Sequence, residues 1–352
     1  MRSLHTDLQA AQDLVNQTPY VALVFTNPDG TITKDYSSDS GALLTVEHTE
    51  EPYNAYATII LKNEDDAIVD VTGYWVEIGW GYNTTSGNRS SGTSRLWVKR
   101  QMELSAEGQK MVILELEDMW TMMAEQLIRI GDPPLYANPN WGKSVKTPYG
   151  IIELVLAEVS DTNYTFSIAA IGTQDDGIID TFVPVFDINT MNEFEDAASL
   201  VRRLILMTKC FLRSKAGLEF EVIFPQDSDT ADVTFYSDQV PYFTEYLERN
   251  NIIIPNHYVV FANKNMLTDE WEASTIITAE ASIQEQIDKY RDVTEPVLAA
   301  TITTQTDADN RADALGTKAR AELLTGRLVI PMHTGLELCD RVTIVDNRMA
   351  TS

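Results

Sequence analysis

Residues 20–36 have the sequence YVALVFTNPDGTITKDY, and this stretch decides how the first part of the chain folds. Two runs rich in β-branched and aromatic residues, 20–26 and 31–36, flank Asn27-Pro28-Asp29-Gly30. Proline presets the backbone of one turn residue and glycine supplies a positive φ, so the stretch predicts a β-hairpin. Similar runs predict further strands at residues 55–61, 71–80, 95–104 and 111–116. Residues 1–115 are therefore expected to form a mostly antiparallel sheet.

Two helices and one loop accompany this predicted sheet. Apolar residues at helical spacing predict a short amphipathic helix at the start: Leu4, Leu8, Ala11 and Val15. A second helix is expected to begin at its capping residue Asp118 and to carry one apolar face: Trp120, Met123, Leu127 and Ile130. Residues 81–93 are rich in glycine, serine, threonine and asparagine, so they predict a protruding, mobile loop.

The clearest break in the chain lies at residues 131–140, where prolines accompany helix-stopping residues. Beyond it, residues 151–159 predict a short helix, and the apolar spacing over 194–212 predicts a long amphipathic helix that ends near Gly217. Basic residues are expected mainly on the solvated face of the long helix: Arg202, Arg203, Lys209 and Arg213. Strand patterns follow at residues 221–224 and 233–236.

The last third of the chain returns to a β pattern. Strands are predicted at residues 252–254, 258–261, 272–279, 299–304, 328–331 and 342–345. Asp307 is expected to cap a helix that runs to Leu323 before Gly326. The predicted fold class is α+β, mostly β, with two antiparallel barrel-like domains, each with a packed helix, separated by a more helical middle domain. The domains are expected at residues 1–131, 132–236 and 237–352.

Composition restricts the function. The chain has 352 residues, 44% of them hydrophobic, with no apolar run long enough to span a bilayer. Its net charge of −27 argues against stable nucleic-acid binding, but it is compatible with a conduit whose wall does not retain DNA. Two cysteines and four scattered histidines predict no disulfide framework and no zinc cluster. The acidic N-terminus is unlike a secretion signal, so we expect assembly in a reducing cytoplasm.

The sequence identifies no catalytic, cofactor-binding or metal-ligating residue. It contains no phosphate-binding glycine loop and no nucleophile motif around a serine or cysteine. Acidic pairs at 64–66, 175–176 and 227–229 lie in polar segments where a solvated turn is the simplest interpretation. Asp307 and Asp309 resemble the start of a calcium loop, but Ala312 occupies the place of its glycine and Lys318 that of its glutamate.

Several stretches of the last third together indicate a family. They are residues 254–260 (IPNHYVV), 303–309 (TTQTDAD), 328–331 (LVIP), 335–338 (GLEL) and 340–346 (DRVTIVD). Over about residues 240 to 346 the sequence resembles the C-terminal tube-forming domain of baseplate hub and tail-tip proteins from long-tailed bacteriophages and related injection machines. Residues 53–63 and 115–118 make the first domain similar, more loosely, to the other tube domain of those hubs. Ala262-Asn263 and Tyr290-Arg291 depart from glycines that are common in the family at these places.

The resemblance implies a structural virion protein of the tail tip or baseplate. Each subunit of a homotrimer would contribute two tube domains, so that a pseudo-sixfold ring continues the tail tube and lets DNA pass during ejection. Expected partners are further copies of the chain, a distal tail or tail tube protein, a tail spike, fibre or tip protein, and the tape-measure protein. No cofactor is expected.

Two alternatives stay open at this point. A distal tail ring component would form a hexameric ring. A tail-tip enzyme that degrades glycans would need a cleft with two carboxylates about 5 to 10 Å apart, at least one with a raised pKa. The loop predicted at residues 82–94 is either a recognition loop for a fibre, the tape-measure end or a receptor, or a disordered connector.

Overall fold

A computed structural model describes residues 1–14, 16–106, 108–129, 146–172, 176–184, 194–226, 228–249, 251–264, 270–299, 302–322 and 326–349. Strands outnumber helices, so the predicted α+β, mostly β class is confirmed. In these ranges no helix combines the length and the apolar composition that crossing a membrane requires.

The first part of the chain forms an eight-stranded sheet. Its strands are β1 Pro19–Ala22, β2 Val24–Thr26, β3 Thr33–Asp35, β4 Leu43–Glu51, β5 Asn54–Lys62, β6 Trp75–Thr84, β7 Gly87–Ala106 and β8 Gln109–Asp118. The order is β3-β2-β6-β7-β8-β5-β4, every pair is antiparallel, and β1 also pairs with β6. The hairpin predicted at residues 20–36 is confirmed, with Gly30 at φ 75° in the turn between β2 and β3.

Residues 81–93 form strands, so the prediction of a mobile loop there is wrong. The paired arms of β6 and β7 continue to a turn between Thr84 and Gly87. Gly81 makes this pairing possible, because a Cβ at its position would lie 1.9 Å from the carbonyl oxygen of Arg89. Tyr82 anchors the arm beneath the first helix, where its side chain is buried.

The first two helices are shorter than the sequence predicts. Helix α1 covers Thr6–Gln12, and helix α2 covers Met119–Ala124 after its cap Asp118. The predicted extension of α2 to Leu127 is wrong, because Leu127–Arg129 forms β9, which pairs with β11 (Phe194–Asp196). Ile130 and Val15 lie outside the described residues.

The middle of the chain contains α3 (Pro148–Val159), as predicted, and α4 (Ala197–Ile205). The single helix predicted over 194–212 is wrong at both ends, where β11 and β12 (Phe211–Ser214) lie. Thr208 and Asp176 explain the early end, because the Thr208 hydroxyl donates to Ile205 O and the Asp176 carboxylate accepts from the N–H of Lys209. Strand β12 then pairs with β13 (Glu219–Ile223), which pairs in parallel with β10 (Ser167–Ile168). The break predicted at 131–140 lies outside the described residues.

The last part of the chain forms three small sheets and two helices. Its elements are β14 Val233–Tyr236, β15 Glu245–Glu248, β16 His257–Ala262, β17 Ile277–Ser282, α5 Gln284–Lys289, β18 Thr294–Ala299, α6 Gln305–Glu322, β19 Gly326–Val329 and β20 Val342–Val345. Strand β16 lies between antiparallel β17 and parallel β18, while β14 pairs in parallel with β20 and β15 pairs antiparallel with β19.

Some strand predictions in this part are wrong. Residues 252–254 and 302–304 form no strand, and two of the pairs are parallel where antiparallel sheets were expected. Residues 300 and 301 lie outside the described residues. Helix α6 begins at Gln305, so Asp307 lies inside its first turn, and the preceding Thr304 accepts from the N–H of Asp307 and donates to its carboxylate.

The three largest clusters of buried apolar residues, among those that the structure describes, form the cores of these parts. The first lies within the large sheet, where Ile59, Leu61, Ile78, Leu96 and Leu114 are fully buried. The second joins α2 to α3, α4 and β13, with the rings of Trp120 and Phe220 4.9 Å apart. The third packs Val260 and Ala262 of β16 against Ala308 and Ala312 of α6. Among the described residues the end strands β3 and β4 of the large sheet do not pair, so the predicted barrel closure is not found there.

Candidate functional site

Strand β4 is an open edge of the large sheet. Among the residues that the structure describes it pairs with β5 alone, from Leu43 to Glu51 with an irregularity at Leu44. Leu44 is 51% exposed, and Thr45 and Glu47 are exposed as well. An open edge presents unpaired N–H and C=O groups, so β4 is suited to pairing with another chain.

Strand β18 is a second open edge, at the side of the C-terminal sheet, and in the described part of the chain it pairs with β16 alone. Because α6 covers one face of this sheet, the opposite face carries the exposed residues Pro296 and Leu298, the latter 68% exposed. Exposed apolar residues on an edge strand are typical of a protein–protein contact surface.

A charged junction joins the first, middle and last parts of the chain. Arg213 of β12 is buried and donates to Glu221 Oε2 at 2.8 Å, to Asp340 Oδ1 at 2.7 Å and to the carbonyl of Leu338 at 3.2 Å. Lys215 and Arg2 both reach Glu337, at 3.0 Å and 3.2 Å. The prediction that Arg213 lies on a solvated helix face is therefore wrong. The residue belongs to strand β12, and its side chain contacts residues of the last segment.

The N-terminal helix strengthens the same junction. The Gln12 side-chain oxygen accepts from the backbone N–H and the hydroxyl of Thr334, at 2.8 and 2.9 Å. The Tyr82 hydroxyl donates to the carbonyl of Met332, so the β6 arm contacts the same segment. Residues 332–340 are thus held from three sides by polar contacts between residues far apart in sequence.

A groove of about 600 Å³ lies between α1 and β14. It is lined by Met1, Arg2, Ser3, Leu4, Gln9, Gln12, Asp13, Asp232, Val233, Thr234, Tyr236, Val240, Pro241 and His333. Burial lowers the pKa of His333, even though the charges of Asp13 and Asp340 act to raise it. A neutral imidazole fits its contact with the Gln12 amide at 2.8 Å.

Two carboxyl groups outside this groove have raised pKa values. Burial raises the pKa of Asp118 to about 6, although N–H groups at the start of α2 counteract this effect. Burial also raises the pKa of Glu50. The neighbouring His48 has a pKa of about 4, because burial and the charge of Arg2 both lower it. Neither Glu50 nor Asp118 lines the groove.

The acidic stretches have structural partners. Asp66 accepts from Lys110 at 2.8 Å, and Asp176 accepts from the N–H groups of Ile178 and Ile179 at 2.9 Å each. Asp229 accepts from the N–H of Gln226. In the part of the chain that the structure describes, no group of three or more His, Cys, Asp or Glu side chains could hold a metal ion. Asp175 and Asp227 lie outside that part.

Two solved structures of tail proteins share this fold. The tail protein from Neisseria meningitidis MC58 matches with a TM-score of 0.62 at 10% sequence identity, over 95% of this chain and 88% of that one. The 43 kDa tail protein of prophage MuSo2 from Shewanella oneidensis matches with a TM-score of 0.61 at 12% identity, over 95% of this chain and 91% of that one. No protein-family model and no curated protein matches the sequence. The chain therefore has the fold of phage tail proteins, and the resemblance inferred from its sequence is confirmed at the level of fold.

Sequence reasoning missed both the open edge at β4 and the charged junction. Residues 43–51 alternate only weakly between apolar and polar types, because an edge strand has a solvated side that tolerates either. The junction brings Arg213 to Asp340 across 127 positions, and no local spacing encodes such a contact. The excess of acidic over basic residues was the one signal in the sequence that pointed to the charged junction, because it makes every buried arginine a candidate for ion pairing.

Proposed function

We propose that this protein is a structural component of a phage tail tip or baseplate, where three copies form a hub ring that continues the tail tube. The observation that carries the proposal is the fold shared with two tail proteins over nearly the whole length of both partners. Fold alone does not fix function. The open edge strands β4 and β18 and the net negative charge of the chain give further support.

The open edges support ring assembly. Each chain offers β4 at one side of the large sheet and β18 at one side of the C-terminal sheet. A strand of one copy can cover an edge of the next, and closure of the ring by three copies leaves neither edge open. Two sheet-containing parts per copy would then give the pseudo-sixfold symmetry that matches a sixfold tube.

The charge supports passage of DNA through such a ring. With 53 acidic and 26 basic residues, the chain offers few cations to bind phosphates. A bore lined by the excess acids would not retain a passing duplex, because phosphate contacts dominate the affinity of proteins for DNA.

The partners and location follow from the proposed role. A hub would contact a distal tail or tail tube protein, a spike, fibre or tip protein, and the tape-measure protein, in a virion tail assembled in the host cytoplasm. We keep the proposed division at residues 1–131, 132–236 and 237–352. Its support is that, among the described residues, the buried members of the large sheet's core all lie between residues 23 and 116.

Mass and projected shape test the proposal. By light scattering and negative-stain microscopy we expect a species of about 118 kDa, three times the 39.4 kDa chain, with a central hole. A hexamer would instead indicate a distal tail ring. A compact monomer would contradict ring formation by the chain on its own, and glycan-degradation assays would then decide whether the enzyme alternative holds.

A matched pair of variants tests the β18 edge. Leu298→Glu places a charge on the exposed edge and should keep the chain at 39.4 kDa, because an acidic edge strand repels an acidic neighbour. Leu127→Glu is the control, since Leu127 is 62% exposed and lies on β9, which pairs with β11 in a different sheet from β18. If both variants form rings as the unmodified chain does, β18 is not part of the interface.

A further inference from the structure

One face of the large sheet carries apolar side chains that lie outside the described cores. Successive residues of a strand point to opposite faces, and Ile59, Leu61 and Leu114 fill the core on the inner face. The strand register brings the alternate residues of β5, β8 and β7 together on the outer face, whose apolar members are Tyr56, Ile60, Met102, Leu104, Met111 and Ile113. Tyr56 is 45% exposed and Leu104 41%. Among the described residues, none of the six belongs to a buried apolar cluster or packs against one.

Unpaired carboxylates lie at one end of this outer face. Glu117 on β8 lies directly opposite Tyr56 in the strand register. Glu47 and Glu51 on β4 lie two positions before and after Thr49, the β4 partner of Tyr56. Glu47 and Glu51 are exposed, and Glu117 is half-buried. In the described part of the chain no cation lies within ion-pair distance of these three carboxylates, so this end of the face attracts cations.

The cations of the same face are already paired. Arg100 on β7 binds Glu115 at 3.1 Å, and Lys62 on β5 binds Glu64 at 3.0 Å. Because each of these pairs is neutral, the face keeps the negative charge of its three unpaired carboxylates. A cation that neutralises them is therefore expected from another molecule.

The outer face has the length of a medium-sized helix. Between Lys62 and Asn54 it measures about 27 Å along β5, at about 3.4 Å per residue. A helix of about 18 residues has this length, and helices cover the faces of sheets whereas added strands pair with their edges. Five of the six apolar residues lie between the positions of Lys62 and Thr58, and the three carboxylates lie from Thr58 to Asn54. A complementary helix has apolar side chains in one half and lysine or arginine side chains in the other.

We propose that the outer face of the large sheet is a docking surface for a basic amphipathic helix of another protein. A second copy of the chain does not offer such a helix, because α6 is the one helix of that length in the described ranges and it already packs on the C-terminal sheet. Two of its basic residues are also bound within the chain, since Lys318 donates to the carbonyl of Ile205 and Arg320 pairs with Glu285. The inference goes beyond the proposed tail role and applies to a monomer and to a ring alike.

A synthetic peptide serves as the probe. It is an alanine-rich helix of about 18 residues, with leucines along one face of one half and lysines along the same face of the other half, made in both orders of the halves. A control peptide has the same composition, but its leucines and lysines are distributed around the helix. By fluorescence anisotropy, one order of the probe should bind the full chain at least about tenfold more tightly than the control peptide, because only the probe presents both residue types on one face.

Two matched pairs of variants locate the binding. The double variant Glu47→Gln with Glu117→Gln should raise the dissociation constant of the probe at least about threefold. Its control, Glu103→Gln with Glu295→Gln, removes the same charge from the inner face of β7 and from β18, and should change the constant less than about 1.5-fold.

The second pair tests the apolar half of the face. Leu104→Ser should raise the dissociation constant of the probe about tenfold, because the leucine side chain is covered on docking. Leu247→Ser is the control, since Leu247 on β15 is also 41% exposed and lies in a different sheet. Both leucines are at the surface, so neither change should prevent folding.

The outcomes separate this inference from the proposed ring. Equal binding of probe and control peptide would overturn the inference, because it would show attraction to the acidic chain as a whole. Unchanged affinity in both the double glutamate variant and Leu104→Ser would overturn it as well. Binding to the monomer that is lost in an assembled ring would show that a second copy covers this face, which overturns the inference and leaves the ring intact. A chain that forms no ring would overturn the ring alone, since the peptide assay uses the chain in either state.

Discussion

Asp118 is a residue whose local role and environment oppose each other. It caps α2 by accepting from the N–H groups of Trp120 and Thr121, which stabilises the helix start. Burial nevertheless raises the pKa of its carboxyl to about 6, from an ordinary value of 3.8. Between these two values the folded chain takes up a proton that the unfolded chain does not. Asp118 therefore favours the folded state most at pH 4 and below, and this contribution is lost as the pH rises through 6.

Substitution of Asp118 by asparagine should remove this pH dependence. Asparagine caps a helix about as well and carries no charge, so Asp118→Asn should match the unmodified chain near pH 4. By pH 7 the variant should be more stable, by at most about 3 kcal/mol. Urea unfolding at pH 4, 5, 6 and 7 measures the difference. Asp118→Ala is the control, because it should lack the pH dependence as Asp118→Asn does, but should be less stable than Asp118→Asn by about 1 kcal/mol at every pH through loss of the cap. A constant difference between Asp118→Asn and the unmodified chain would show that the carboxyl does not titrate in this range.

At the scale of elements, the β6–β7 hairpin depends on one close approach between its strands. A Cβ on Gly81 would lie 1.9 Å from the Arg89 carbonyl oxygen and 2.6 Å from the Ser90 Cα, so the backbone itself would have to move. Gly81→Ala should lower the free energy of unfolding by about 2 kcal/mol or more and speed hydrogen exchange along β6 and β7.

Gly92→Ala is a matched control on the same hairpin, because its Cβ would meet nothing closer than 3.7 Å. The control should change stability by less than about 1 kcal/mol. Equal losses in both variants would contradict this account of the hairpin.

Two hairpins show how far the sequence predicts the elements, one between β2 and β3 and the other between β6 and β7. The turn at Asn27-Pro28-Asp29-Gly30 was predictable because four adjacent residues specify it. The strands at 81–93 were not, because their stability comes from cross-strand contacts and from Tyr82 packed under α1, which local composition does not record. Helix α3 was predictable from its apolar spacing, whereas the early end of α4 depends on Asp176, a residue more than twenty positions away. The tail-protein fold was recognisable from the last third, but the open edges emerge only when distant segments are placed together.

At the scale of the whole molecule, the charged junction around Arg213 determines whether the chain behaves as one unit. Arg213 connects β12 to the segment that contains Leu338 and Asp340, and the carboxylates of Glu337 and Asp340 are almost fully buried there. Removal of the arginine takes one of two close cationic partners from Asp340 and one of several from Glu337. Breaking a buried pair in this way costs up to about 3 to 5 kcal/mol. Arg213→Met should therefore lower the urea midpoint strongly.

The location of the damage distinguishes a junction from an ordinary core residue. In Arg213→Met, hydrogen exchange should speed up most along residues 332–341 and in α1, which Gln12 ties to Thr334, while β5 and β8 inside the large sheet stay protected. Arg100→Met is the control, because Arg100 pairs with Glu115 on the surface with both side chains exposed, and loss of such a pair costs less than about 1 kcal/mol. Uniformly faster exchange in Arg213→Met would contradict a junction role, since it would mean that the first sheet and the last segment unfold together. Local exchange confined to the junction would instead mean that the large sheet keeps its own stability.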